Sequence, residues 1–253
     1  MAPEPKASGE EAASPRKLAR IPLYLVSIVL AFLLPSLALL GRLWKKASRK
    51  ALLISVAIIA IIGWSWSWMV SYSHWWTFGE RYMLGWQVVP FLPIEEVLFY
   101  PLGGLLSILA YLWAYSWLPR KVHAPSYWGF LSLGTLIFAG LVVSSWAYGP
   151  YYLLSQLVIY NFACSMLLAP KTASRMNLPA LCVPIAGLGV VGYLWNYIGF
   201  KYGWWAYYAT VRINVSVVPI DDFNFFFFAP TAAVSIYVFV CGLLGEEPIA
   251  DER

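Results

Sequence analysis

Seven stretches of this chain are apolar for long enough to cross a bilayer, and no water-soluble fold accommodates that many. They run over Ile21 to Leu40, Ala51 to Val70, Pro93 to Trp117, Tyr127 to Trp146, Tyr151 to Leu168, Leu178 to Tyr197 and Pro219 to Leu243. A helix rises ~1.5 Å per residue, so ~20 residues cover the hydrocarbon layer. With 61% hydrophobic and 11% charged residues, little is left for a soluble domain of any size. The reading is an all-α, polytopic integral membrane protein of about seven transmembrane helices, with the lipid bilayer as its first partner. Only Ala147-Tyr148-Gly149-Pro150 divides the fourth span from the fifth.

The formal charge of +5 lies in tails and loops. That suits anionic lipid head groups and carries no nucleic-acid signature. Residues 1–20, rich in Ala, Glu, Pro, Ser and Lys, read as a disordered polar tail, and 246–253 as an acidic tail. Cys164, Cys182 and Cys241 sit inside apolar runs without metal-ligand spacing and read as small packing residues. Part of the aromatic wealth is the interfacial belt of any such protein.

Two segments stand apart from this background. Pro93-Ile94-Glu95-Glu96-Val97-Leu98-Phe99-Tyr100 and Pro219-Ile220-Asp221-Asp222-Phe223-Asn224-Phe225-Phe226 share one pattern: proline, isoleucine, two acids, then aromatic-rich apolar sequence. Each follows a tryptophan pair, Trp75-Trp76 and Trp204-Trp205. The prolines are 126 residues apart and the tryptophan pairs 129 apart. The pattern predicts a duplication, with a first repeat over 21–118, a linker carrying the fourth helix over 119–149 and a second repeat over 150–245. With seven spans, helices three and seven are both odd-numbered and run in the same direction, which puts the acid pairs at one depth. Parallel three-helix repeats of this kind form their sites at the repeat interface. Ten Lys and Arg fall on the side opposite the acid pairs and seven on their own side, so the positive-inside rule turns the acids toward the outer face.

Of the twelve acids, seven lie in the tails and only Glu80 competes with the two pairs. Ionisable groups in membrane segments are costly and mark function by default. The plainer reading is that Pro starts a helix and the acids complement its dipole. Two doubly acidic copies with almost no other interior acid weigh against it. Successive helical residues point about 100° apart, so one member of each pair faces the bundle while the other takes a backbone amide, a neighbouring helix or water. Carboxyl groups gathered in an apolar, ring-walled pocket suit the protonation of an alkene: an acid supplies the proton, ring faces stabilise the carbocation, and a carboxylate removes a proton at the end. The candidate catalytic residues are Glu95, Glu96, Asp221 and Asp222. The candidate ring walls are Trp75, Trp76, Phe99, Tyr100, Trp204, Trp205, Phe225 and Phe226.

Rival chemistries lack their residues. Asp221-Asp222 has no third acid for a magnesium–diphosphate site, and no Gly-x-Gly-x-x-Gly fingerprint is present. A Glu-Glu membrane protease needs an arginine after the pair, where Tyr100 stands, and histidines on later helices, whereas this chain has only His74 and His123. No metal and no cofactor are expected.

Trp76-Thr77-Phe78-Gly79, Arg81, Leu84-Gly85 and Pro93-Ile94-Glu95-Glu96 to Phe99 resemble the lycopene cyclase domain of the heterodimeric or fused microbial type. The second half, with Asn196-Tyr197-Ile198-Gly199 and Pro219-Ile220-Asp221-Asp222, resembles it more weakly and has Asp-Asp where the family usually has Glu-Glu. The resemblance spans Ile21 to Leu244 and suits the fused form. It implies redox-neutral, acid-catalysed closure of the acyclic ends of lycopene or a related polyene into rings, with the family's proposed proton-donor motif falling on Glu95 and Glu96 and, more weakly, on Asp221 and Asp222. It also implies a multi-pass protein of the cell inner membrane if bacterial, or of the plasma membrane if archaeal. The alternative of another class is a non-enzymatic polyene binder or a proton-coupled transporter, with Gln156, Asn161 and Asn196 along the path. A homo-oligomer and an intramolecular repeat interface look alike at this level.

Overall fold

The computed structural model describes residues 22–119, 170–208 and 214–249. Five of its helices are long and apolar enough to cross a membrane: α1 (Leu23–Leu43), α2 (Arg49–Tyr72), α3 (Ile94–Tyr115), α4 (Leu178–Tyr202) and α5 (Ile220–Leu244). The protein is thus mostly helical and multi-pass. The expected spans Tyr127 to Trp146 and Tyr151 to Leu168, and the tail 1–20, lie outside the described residues.

Local chemistry sets the helix ends and irregularities. Ser48 caps α2, its Oγ accepting from Ala51 N at 3.2 Å, and Asn177 caps α4 through Ala180 N at 3.4 Å. Each satisfies an otherwise orphaned first-turn amide. In α1 the turn over Val29–Leu33 widens to a π-helix just before Pro35, whose ring clashes with an α-helical carbonyl four residues back. In α3, Pro101 has no N–H to give the Val97 carbonyl. That carbonyl accepts instead from Trp64 Nε1 at 3.0 Å, which fastens α2 to α3.

Just over half of the membrane-length window of α3 and of α5 is buried, against a third or less in α1, α2 and α4. The first two are therefore the central pair. Phe99 and Phe226, near their starts, meet with ring centroids 6.5 Å apart, while Ile108 to Ala114 and Ala233 to Cys241 share the core at their far ends. The two helices run in the same direction, since their starts meet and their far ends share one core. On the outside, Leu30, Leu34 and Leu37 of α1 and Val190, Leu194 and Ile198 of α4 present apolar stripes, the surface a helix offers to lipid. Cys182 lies on such an exposed face, so only Cys241 of the described cysteines is a packing residue.

The all-α expectation is modified where helices connect. Among the described residues, six short strands form three antiparallel pairs: β1 (Trp76–Phe78) with β4 (Trp205–Tyr207), β2 (Gln87–Val89) with β3 (Leu92–Pro93), and β5 (Asn214–Val215) with β6 (Val218–Pro219). Pairing meets the backbone hydrogen bonds of connections lying close to the apolar layer. The β1–β4 register reads the same from either strand: Trp76 faces Tyr207, Thr77 faces Ala206, and Phe78 faces Trp205. Each residue meets the counterpart, 129 positions on, of its own mirror neighbour. The flanking bonds obey the same rule, Gly79 N donating to Trp204 O at 2.7 Å and Tyr208 N to Trp75 O at 2.8 Å.

At the opposite end of the bundle the segment after α5 returns to the residues just before α2. Ala47 bridges Ile249, Ser48 Oγ donates to Glu246, and Arg175 pairs with Glu247 at 3.5 Å. Tyr237 Oη, buried in α5, donates to the carbonyl of buried Pro248 at 2.7 Å. Tyr237→Phe strands that acceptor, so a loss of about 1–3 kcal/mol is expected. A lowered melting temperature of the solubilised protein measures it, and an unchanged one would show the bond to be dispensable.

Candidate active site

All four acids of the two motifs are interior, with 2% or less of their surface exposed. They stand in the first turns of α3 and α5, yet Pro93 and Pro219 give no side-chain cap. Glu95 and Glu96 also spend their oxygens away from their own helix. Glu96 accepts from Tyr24 Oη of α1 on Oε1 and from Ser67 Oγ of α2 at 3.0 Å on Oε2. Glu95 Oε1 accepts from the backbone N–H of Leu84 at 2.6 Å, in the connection before β2. Asp222 accepts from Tyr207 Oη of β4 at 3.1 Å. A carboxylate that merely began a helix would turn back onto the first-turn amides. Here partners from other elements hold three of the four.

Glu96 and Asp222, supplied by different parallel helices, line one chamber. Its empty space, open solvent at the mouth included, is about 350 Å³. Of the expected ring walls, Trp76, Phe99, Tyr100, Trp205, Phe225 and Phe226 line it. Glu95, Asp221, Trp75 and Trp204 do not: Glu95 is turned to the Leu84 amide, and Trp204 is tilted against Tyr82 at 6.4 Å. The second member of each acid pair and of each tryptophan pair reaches the chamber, and the first does not.

Tyr24, Trp66, Phe78, Trp195, Asn196 and Tyr207 complete the lining. Trp66 of α2 stacks on Phe225 of α5 at 5.9 Å and 7°, and Trp195 of α4 stacks on Phe99 of α3 at 5.2 Å and 20°. Trp66 and Trp195 are 129 apart, and Phe99 and Phe225 are 126 apart. Each half thus lays its tryptophan on the other half's phenylalanine. Tyr24 bridges the set, its ring 5.5 Å from Trp195 and 5.2 Å from Trp205 while its hydroxyl holds Glu96. Tyr207 holds Asp222, but the residue 129 before it is Phe78, which has no hydroxyl. Tyr24 supplies from α1 what Phe78 lacks, and the two rings lie 6.2 Å apart.

Spacing within the recurring motifs points to Trp66 and Trp195, because each precedes its tryptophan pair by the same nine residues. Nothing local marks Tyr24. The lining contains no basic side chain, and among the described residues no three His, Cys, Asp or Glu side chains are placed to hold a metal. Two carboxyls facing π-faces in a site of this polarity are suited to developing positive charge, which ring quadrupoles stabilise by about 0.5–2 kcal/mol each. No protein-family model, no curated protein and no solved structure matches this chain.

Proposed function

We propose that the protein is a lycopene cyclase, closing the acyclic ends of lycopene or a related polyene by proton-initiated, redox-neutral isomerisation. The observation that carries this reading is the convergence of Glu96 and Asp222 in one ring-lined chamber. In the proposed reaction one carboxyl adds its proton to the terminal alkene, leaving a tertiary cation. The π-electrons of a second alkene close the ring carbon–carbon bond and carry the charge into the ring. The other carboxylate then takes a ring proton and restores a double bond, so product and substrate have the same formula. Trp66, Phe99, Trp195 and Phe225 flank the cation, and the rings keep out water that would trap it as an alcohol. In this reading one polyene end at a time enters the chamber and the remaining chain stays in the lipid.

The proposal includes the seven-span, two-repeat architecture, with units over 21–118 and 150–245 joined by the linker over 119–149. Support comes from the self-complementary β1–β4 register and the exchanged Trp–Phe stacks. Both are signatures of a twofold axis between like units.

The deciding experiment is expression in a host that accumulates lycopene, with chromatography of the extracted pigments. Monocyclic or bicyclic carotenes are expected. Unchanged lycopene, with the protein verified in the membrane, would overturn the assignment and leave binding or transport.

A further inference from the structure

The two halves of the chamber are alike in shape and unlike in hydrogen bonding. In the first, Ser67 Oγ donates to Glu96 at 3.0 Å and Trp76 Nε1 donates to Ser71 Oγ at 2.6 Å. The residues 129 positions on are Asn196, Trp205 and Phe200. Phe200 stands where Ser71 gives the first indole its hydroxyl, and among the described residues Trp205 Nε1 has no partner. Asn196 Nδ2 has none either. Both side chains line the chamber, Asn196 with 2% and Trp205 with 5% of its surface exposed. Buried donors without acceptors are rare in native proteins, and two in one wall whose counterparts are both satisfied point to a ligand.

We propose that the Asn196–Trp205 side of the chamber binds an oxygen acceptor, a hydroxyl or carbonyl, carried on an otherwise apolar isoprenoid. This rests on the reading of the chamber as an isoprenoid-end site and adds that one of its two sides selects an oxygenated end. On the Glu96 side Ser67 Oγ and Trp76 Nε1 are already engaged, and that side takes the plain hydrocarbon.

The test is equilibrium binding to the full chain in lipid nanodiscs, using tritiated farnesol with β-farnesene, which has a matching carbon skeleton without oxygen, as competitor. Values are corrected for partition into empty discs. A site built to bond an oxygen rejects the analogue lacking it, so farnesol should bind at least about tenfold more tightly. Asn196→Leu and Trp205→Phe should each reduce that preference several-fold, and the double variant should bring it close to one. Trp205→Phe keeps an aromatic ring, which guards against simple collapse of Asn196→Leu, and melting of each variant checks folding. A wild-type preference near one, or a preference unchanged in both variants, overturns the proposal. The lycopene assay reads the cyclase assignment separately. Oxygen preference without cyclisation supports this site while removing that activity, and cyclisation without preference does the reverse.

Discussion

Under the proposed cyclase reading, cyclisation of lycopene is expected to fall about 10²- to 10⁴-fold in Glu96→Gln and in Asp222→Asn, the range for loss of a general acid or base, while Glu95→Gln keeps its rate within an order of magnitude. The contrast follows from where adjacent side chains point. Glu96 and Asp222 line the chamber, whereas Glu95 accepts the Leu84 amide, a bond that a glutamine carbonyl also makes. Both changes at the chamber are isosteric and leave an acceptor for Tyr24 and for Tyr207, so folding should survive them. Initial rates in isolated membranes, normalised to folded protein, provide the measurement. Equal losses at Glu95 and Glu96 would mean that the pair acts only through the start of α3.

The second large effect concerns helix approach rather than chemistry. Gly63 of α2 sits against the ring of Tyr100 of α3, and Gly192 of α4 against the ring of Phe226 of α5, so closely that a Cβ at either glycine would overlap ring carbons. Between helices in lipid, where burial of apolar surface gives no advantage, such contact is a main source of cohesion. Gly63→Val and Gly192→Val should each destabilise by about 1–3 kcal/mol or more and spread the walls carrying Tyr100 and Phe226. The expected readout is a drop in melting temperature together with lost cyclisation. Removing the obstructing ring, in the double variant Gly63→Ala with Tyr100→Ala, should recover part of the loss from Gly63→Ala alone, a coupling that a double-mutant cycle measures. Full additivity would show that the two do not press on one another.

The helices found were legible because each is an uninterrupted apolar run. The acid pairs were legible because interior acids are so few. The pairing of β1 with β4 was not: three residues without a clear alternation carry no strand signal, and their partners lie 129 positions away. Tyr24 escaped for a related reason. It is one aromatic in an apolar helix, and its importance comes only from the Phe78 that faces it without a hydroxyl. Trp75 and Trp204 were expected beside Trp76 and Trp205, but they precede the strands that begin at Trp76 and Trp205, and only the second of each pair reaches the chamber.

The exchanged stacks have a consequence for what can be divided. Trp66 shelters Phe225 and Trp195 shelters Phe99, so the enclosure is a seam, and neither side owns a finished wall. A fragment ending at Tyr115 would retain Glu96 but forfeit the indole that covers Phe99. Carrying both sides on one polypeptide fixes their ratio at one to one and lets a substitution on either be answered on the other. Glu96 can then share a chamber with Asp222 without two identical copies having to tolerate the same change at once.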